Sequence, residues 1–329
     1  NDLGDTTNNQ RFVYDAANRL TEVQDSLGTP IARYAYDPYG RRIRKTILQQ
    51  GGQVLQPPKT TDYLYSDQGL IAEADESGAI VKRYGWRPDR PWGTDPVLLS
   101  ARRAGADPAS SLETFYFLND HLGTPQKVID LAGNSVREGR ALAFGETQVQ
   151  AGSQIENNLR FPGQYFDQES NSHQNWFRTY DQLGGRYRES DPIGLIGGFN
   201  LYIYVDGNPL NETDPHGLAA IHGNWCGPNW TGGFEKPWDE LTATEQASVK
   251  KPTTSLDAAC MVHDKCHAAC RAEANCSRPD FAKRDSCFRA CDDALASAAS
   301  KYGGVAGLMV GRAMKRPGSR TDLTWSDLT

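Results

Sequence analysis

The stretch Leu256 to Cys270 reads LDAACMVHDKCHAAC, which sets the pair His263-Asp264 inside a run of cysteines. Histidine is the side chain best suited to take and return a proton near neutral pH, provided a carboxylate orients it. Cysteine and histidine together also bind zinc, and cysteines four apart can staple one helix to another. The run reads as a helix, with Ser255 or Thr254 as N-cap and Asp257 in the first turn. A second helix is predicted in SRPDFAKRDSCFRACDDALASAASKYGG, with Ser277 as cap, Pro279 in its first turn and Gly303 just past its end. Cys266/Cys270 and Cys287/Cys291 each share a helix face, so antiparallel packing could join Cys266 to Cys291 and Cys270 to Cys287. Zinc on Cys266, Cys270, His263 and His267 is the competing reading; continuous helices with this spacing suit disulfides better. If Cys226 bonds Cys260, the loop GNWCGPNWTGG is pinned just before His263 with its carbonyls toward Asp264. Carbonyls and a carboxylate are hard oxygen ligands of the kind calcium takes. A Cys266–Cys291 bond would also carry Asp292 to the His263 face, assembling a base, an orienting carboxylate and a cation.

A second constellation is a pair of DPxGL motifs beginning at Asp191 and Asp214. By itself Asp-Pro-x-Gly is turn chemistry, because Asp caps, Pro fixes φ and Gly accepts a positive φ. Both motifs end a region of internal repeats. RFVYDAANRLTEV (11–23) is echoed by RYAYDPYGRRIRKT (33–46), with Tyr14 and Tyr36 22 residues apart, and weaker copies begin at Tyr63, Thr114 and Phe177. Each copy alternates apolar and polar residues and breaks at an Asp/Asn-plus-Gly turn, the pattern of a β-hairpin.

Composition separates the two regions. All seven cysteines lie between Cys226 and Cys291. Residues 219–329 hold 14 Lys/Arg against 13 Asp/Glu, and residues 1–218 hold 21 against 28. Neither balance is that of a basic nucleic-acid binder, so nucleic acid is not expected as a partner. No apolar run approaches the ~20 residues of a membrane span, and NDLGDTTNNQ lacks the features of a signal peptide. Clustered cysteines nonetheless imply an oxidising place of action, hence another route of export or a piece of a longer chain.

The array over residues 8–218 resembles the RHS, or YD-repeat, family, and RESDPIGLIGGFNLYIYVDGNPLNETDPHGL (188–218) is similar to its core motif. The resemblance implies an antiparallel β-hairpin shell fragment over 1–218. It also implies that Asp191 and Asp214 are an aspartyl dyad cutting the chain between Leu218 and Ala219, one carboxylate serving as base and the other as acid. The family often carries an arginine near the first Asp; Arg188 is nearby, and its role stays open.

WCGPNWTGG, DAACMVHDKCH and CDDALA, in that order, resemble the secreted phospholipase A2 family over residues 222–302. The resemblance implies a small α-helical, disulfide-linked domain over 219–329. His263 would be the base, Asp292 its orienting partner, and Ca²⁺ would bind Asp264 and the carbonyls of Trp225, Gly227 and Trp230. Trp225, Trp230, Trp238 and residues 303–316 could form an apolar rim. The two resemblances together imply an RHS-type antibacterial effector, delivered by a type VI-like spike or adaptor and restrained by an immunity protein. It would hydrolyse the sn-2 ester of membrane phospholipids in a periplasm or other extracytoplasmic space; the alternative is a non-catalytic, phospholipase-like binding toxin.

Overall fold

In the computed structural model, residues 10–88, 90–194, 200–218, 225, 231–234, 236–252, 255–274 and 281–302 are described. The chain divides into two compact units. The first comprises Asn1–Pro192, Tyr202–Leu210 and Asp214–Leu218; the second comprises Ile193–Leu201, Asn211–Thr213 and Ala219–Thr329.

In the first unit, twelve antiparallel strands from Arg11–Tyr14 to Thr147–Val149 pair strictly in chain order. The turns explain this regularity. At Asp25, Asp37, Asp75, Asp120 and Asp130, one carboxylate oxygen accepts the amides two and four residues ahead. The glycine three residues ahead donates to the aspartate carbonyl with φ between 79° and 89°, a backbone conformation costly for any residue with a Cβ. Asp15 builds the same turn with Asn18 in the glycine position at φ 61°. Each such turn closes a hairpin within a few residues, so every strand meets its sequence neighbour.

Alternation then sends Tyr63, Leu70, Tyr84, Trp86, Leu99, Phe115, Phe117 and Val128 to one buried cluster. Charge is buried as well. Arg42 and Lys45 bind Asp167, with the Arg42 guanidinium between the rings of Tyr34, Tyr63 and Tyr165. A four-stranded antiparallel sheet follows, made of Tyr165–Asp167, Ser172–Asn175, Arg178–Asp181 and Arg186–Tyr187.

The second unit is helical: α1 (Ala243–Ser248), α2 (Ser255–Ala274) and α3 (Phe281–Tyr302). A capping box of Thr242 and Glu245 starts α1. Disulfides Cys266–Cys291 and Cys270–Cys287 fix α2 antiparallel to α3. Trp225, Cys260 and Leu295 form the core with Trp238, Val249 and Met261 around them. Trp225 is therefore core rather than the apolar rim expected of it; Trp230 and residues 303–316 lie outside the described residues. No described helix is long and apolar enough to cross a membrane.

Candidate functional site

The first unit brings the two DPxGL aspartates together on one cation. The Arg178 guanidinium, on the third strand of the small sheet, lies 3.1 Å from Asp191 Oδ2 and 3.3 Å from Asp214 Oδ2 through the same nitrogen. Its Nε donates to the Gly217 carbonyl at 2.5 Å, and its plane stacks 3.7 Å from the Tyr187 ring centroid. All three charged side chains are 5% exposed or less. Such burial is tolerable only where charges are paired and hydrogen-bonded.

Further bonds fix Asp214. Tyr187 Oη donates to its Oδ2 at 2.8 Å, and the Leu218 amide donates to its Oδ1 at 2.9 Å. Burial first, and then the Asp214 charge, hold the Tyr187 phenol well above its ordinary range, so it remains a donor. Asn175 Nδ2 donates to the Asp214 carbonyl and to Tyr187 Oη. The second DPxGL turn closes through Gly217 at φ 72°, where a Cβ would collide with the Asn175 carbonyl. The Leu218 end of the expected cut is thus held on Asp214, with Asp191 on the same guanidinium, while Ala219 lies outside the described residues. The cation is Arg178 and not Arg188. Arg188 turns to Asp181 at 3.8 Å and to the Phe12 ring. Sequence reading missed Arg178, Asn175 and Tyr187; the sign of Arg178 and Tyr187 was the repeat copy FRTYDQLGGRYRESD (177–191), in which they sit at strand positions, and Asn175 lies two residues before it. Close by, burial pushes the Glu189 carboxyl up to about 7 against the pull of the Thr179 amide it accepts at 2.6 Å.

In the second unit, α2 presents His263 and His267 on one face, one turn apart, with ring centroids 4.1 Å from each other. Both Nε2 atoms lie 2.9 Å from Asp292 Oδ1 on α3. Burial resists charge on His263, but hydrogen bonds with Asp264 and Asp292 outweigh it and raise its pKa. Asp292 also resists charging through burial, yet the two imidazoles dominate and hold it down at about 2. His263 is consequently not a single base on its own carboxylate: His267 shares that oxygen and packs against Phe288.

Of the expected calcium donors, Asp264 and Trp225 are described, while Gly227 and Trp230 are not. Asp264 lies 3.5 Å from both Thr231 Oγ1 and His263 Nδ1, and burial raises its pKa. The Trp225 amide donates to Asp257 at 2.7 Å and its indole to the Lys250 carbonyl, which tethers this residue to the first turn of α2. Cys260 is disulfide-bonded; its expected partner Cys226 lies outside the described residues.

Residues 14–47 match the family described as RHS Repeat. The chain is 38% identical over 227 residues to Double-stranded DNA deaminase toxin A of Burkholderia cenocepacia (strain H111), covering 65% of this chain and 16% of that protein. It is 32% identical over 213 residues to Probable deoxyribonuclease RhsB of Dickeya dadantii (strain 3937), covering 64% of this chain and 14% of that one. The chain therefore spans about one sixth of the length of these relatives. Among solved structures, the crystal structure of TcdB2-TccC3 matches with a TM-score of 0.50 and 24% identity over 64% of this chain and 10% of that chain, a likeness of fold.

These relatives overturn the expectation of calcium-dependent phospholipid hydrolysis, of a phospholipid surface as substrate, and of no nucleic-acid partner. They are named for deaminating double-stranded DNA and for cleaving DNA. The physical reason for the error is that a His–Asp pair between stapled helices specifies proton transfer and leaves the substrate open. Near-neutral charge, likewise, excludes strong electrostatic steering but not an enzyme that grips a few phosphates. The chain thus holds one match to the RHS repeat within an antiparallel sheet region that is similar to these toxins, together with a small helical, disulfide-containing region.

Proposed function

We propose that this chain is the processing end of a toxin shell, in which Asp191 and Asp214 cut the bond after Leu218 and so free a C-terminal effector. The observation that carries the reading is the placement of both buried carboxylates on the Arg178 guanidinium, with the Leu218 amide on Asp214. Water would attack the Leu218 carbonyl, one carboxylate taking its proton and the other protonating the leaving amine of Ala219. Arg178 and Tyr187 position the pair. The products are a Leu218 carboxylate and a new N-terminus at Ala219. Intact-mass measurement of the purified chain tests this, since cleavage must yield two fragments meeting at residues 218 and 219.

The effector, on this reading, is an enzyme acting on nucleic acid within a target cell, with His263, His267 and Asp292 as its polar centre. The support is the naming of similar toxins together with that buried cluster. Incubating the cleaved protein with duplex DNA, single-stranded DNA and tRNA tests it by strand length and by base composition. Unchanged substrates in all three incubations would refute it.

A further inference from the structure

We propose that His263, His267 and Asp292 form a binding site for one divalent transition-metal ion, zinc by donor set. The inference rests on reading this cluster as the effector's functional centre, and it names what that centre holds. Two imidazoles four residues apart on one helix face a carboxylate from the antiparallel helix. Asp292 is fixed there because its neighbour Cys291 is bonded to Cys266. The three ligand atoms lie within 4.8 Å of one another, and each Nε2 is 2.9 Å from the same carboxylate oxygen.

Zinc binds nitrogen and oxygen ligands at about 2.0–2.1 Å, and a tetrahedron of that size has edges of about 3.3 Å. The two 2.9 Å contacts therefore need to open by only about 0.4 Å. The third edge, between the two Nε2 atoms, is at most 4.8 Å and has to settle at the same length.

A second feature points the same way. A metal-bound imidazole usually passes its outer N–H to a carboxylate, which fixes the ring. His263 Nδ1 already faces Asp264 Oδ1 at 3.5 Å, and Asp264 is steadied in turn by Thr231. The nearby sulfurs cannot take the ligand role, since Cys266, Cys270 and Cys291 are all in disulfides. Three protein ligands leave a fourth position for water, and zinc lowers the pKa of such a water to about 7. Hydroxide made this way is the nucleophile that either phosphodiester hydrolysis or base deamination would use.

The test uses the full chain, untagged and stripped with chelator, titrated with ZnCl₂ by calorimetry and with Co²⁺ by absorption. One saturable zinc site is expected, weakened more than about 100-fold in His267→Gln and about 10-fold in Asp264→Asn. Cobalt in the unsubstituted chain should give the intense visible bands of a tetrahedral nitrogen and oxygen site, a readout that needs no variant to fold. No zinc uptake, zinc affinity unchanged in a folded His267→Gln, or a thiolate-to-cobalt band each overturns the proposal. So does a response to calcium alone that is lost in Asp264→Asn and kept in His267→Gln. Zinc held at these residues in a chain inert toward DNA and RNA keeps the site and removes the nucleic-acid reading. Nucleic-acid processing by a chain that binds no zinc does the reverse.

Discussion

Asp214→Asn separates a processing dyad from a merely structural ion cluster. Asn keeps the shape of the side chain and an oxygen for the Leu218 amide, but removes one of two carboxylates from Arg178. Because Asp191 Oδ2 and Asp214 Oδ2 sit 3.1 Å and 3.3 Å from one nitrogen, they are at most about 6.4 Å apart. At an effective dielectric near 20 their repulsion is at least about 2.6 kcal/mol, against about 5 kcal/mol of Arg178–Asp214 attraction. Neutralising Asp214 also relieves a desolvation cost of several kcal/mol. Gains and losses nearly cancel, so the variant should fold with stability changed by no more than about 2 kcal/mol. Loss of a general acid or base, in contrast, slows a reaction by about 10²–10⁴-fold. The expected result is a folded, uncut chain of 36.3 kDa by intact mass, while the parent chain yields two fragments. Cleavage at 218/219 that persists in both Asp214→Asn and Asp191→Asn would refute the reasoning. So would a variant that stays uncut only because its thermal transition has collapsed.

Three further outcomes follow from the same geometry. Arg178→Met leaves two buried carboxylates facing each other and should cost about 3–5 kcal/mol in chemical denaturation, with Arg178→Lys recovering part of it. Glu189, whose folded pKa is raised from 4.5 to about 7, gives stability that is fully present below about pH 4.5 and lost as pH rises through 7. That loss is worth about 3 kcal/mol and should vanish from the stability–pH curve of Glu189→Gln. Reducing Cys266–Cys291, which spans 25 residues, should destabilise the α2–α3 pair by about 3 kcal/mol. Because the 17-residue Cys270–Cys287 loop nests inside it, reducing both should cost less than twice that in a denaturant series followed by circular dichroism.

What could be read from the sequence was what local chemistry decides. The Asp-x-x-Gly turns name their own hydrogen bonds, so the hairpins at Asp37 and Asp120 were legible residue by residue. Cysteines at i,i+4 on two helices likewise constrain how those helices can be stapled. Arg178 was not legible, because it lies 13 and 36 residues from the carboxylates it joins and sits in a strand like many others. His267 was underread for a related reason: the sequence offered it only as one of four candidate zinc ligands, and its link to Asp292 depends on how α3 packs against α2. Substrate was the least legible property of all. A buried imidazole pair on one carboxylate fixes where a proton or a cation can be held, but discrimination between an ester, a phosphodiester and a nucleobase comes from the walls around it. Much of the sequence that would form those walls, Gly227 and Trp230 included, lies in the glycine-rich stretch GNWCGPNWTGG (223–233), where periodicity dictates no conformation. The turn that holds Asp214 is short and local, whereas the walls around an imidazole pair are not, and the two were therefore unequally readable in one chain.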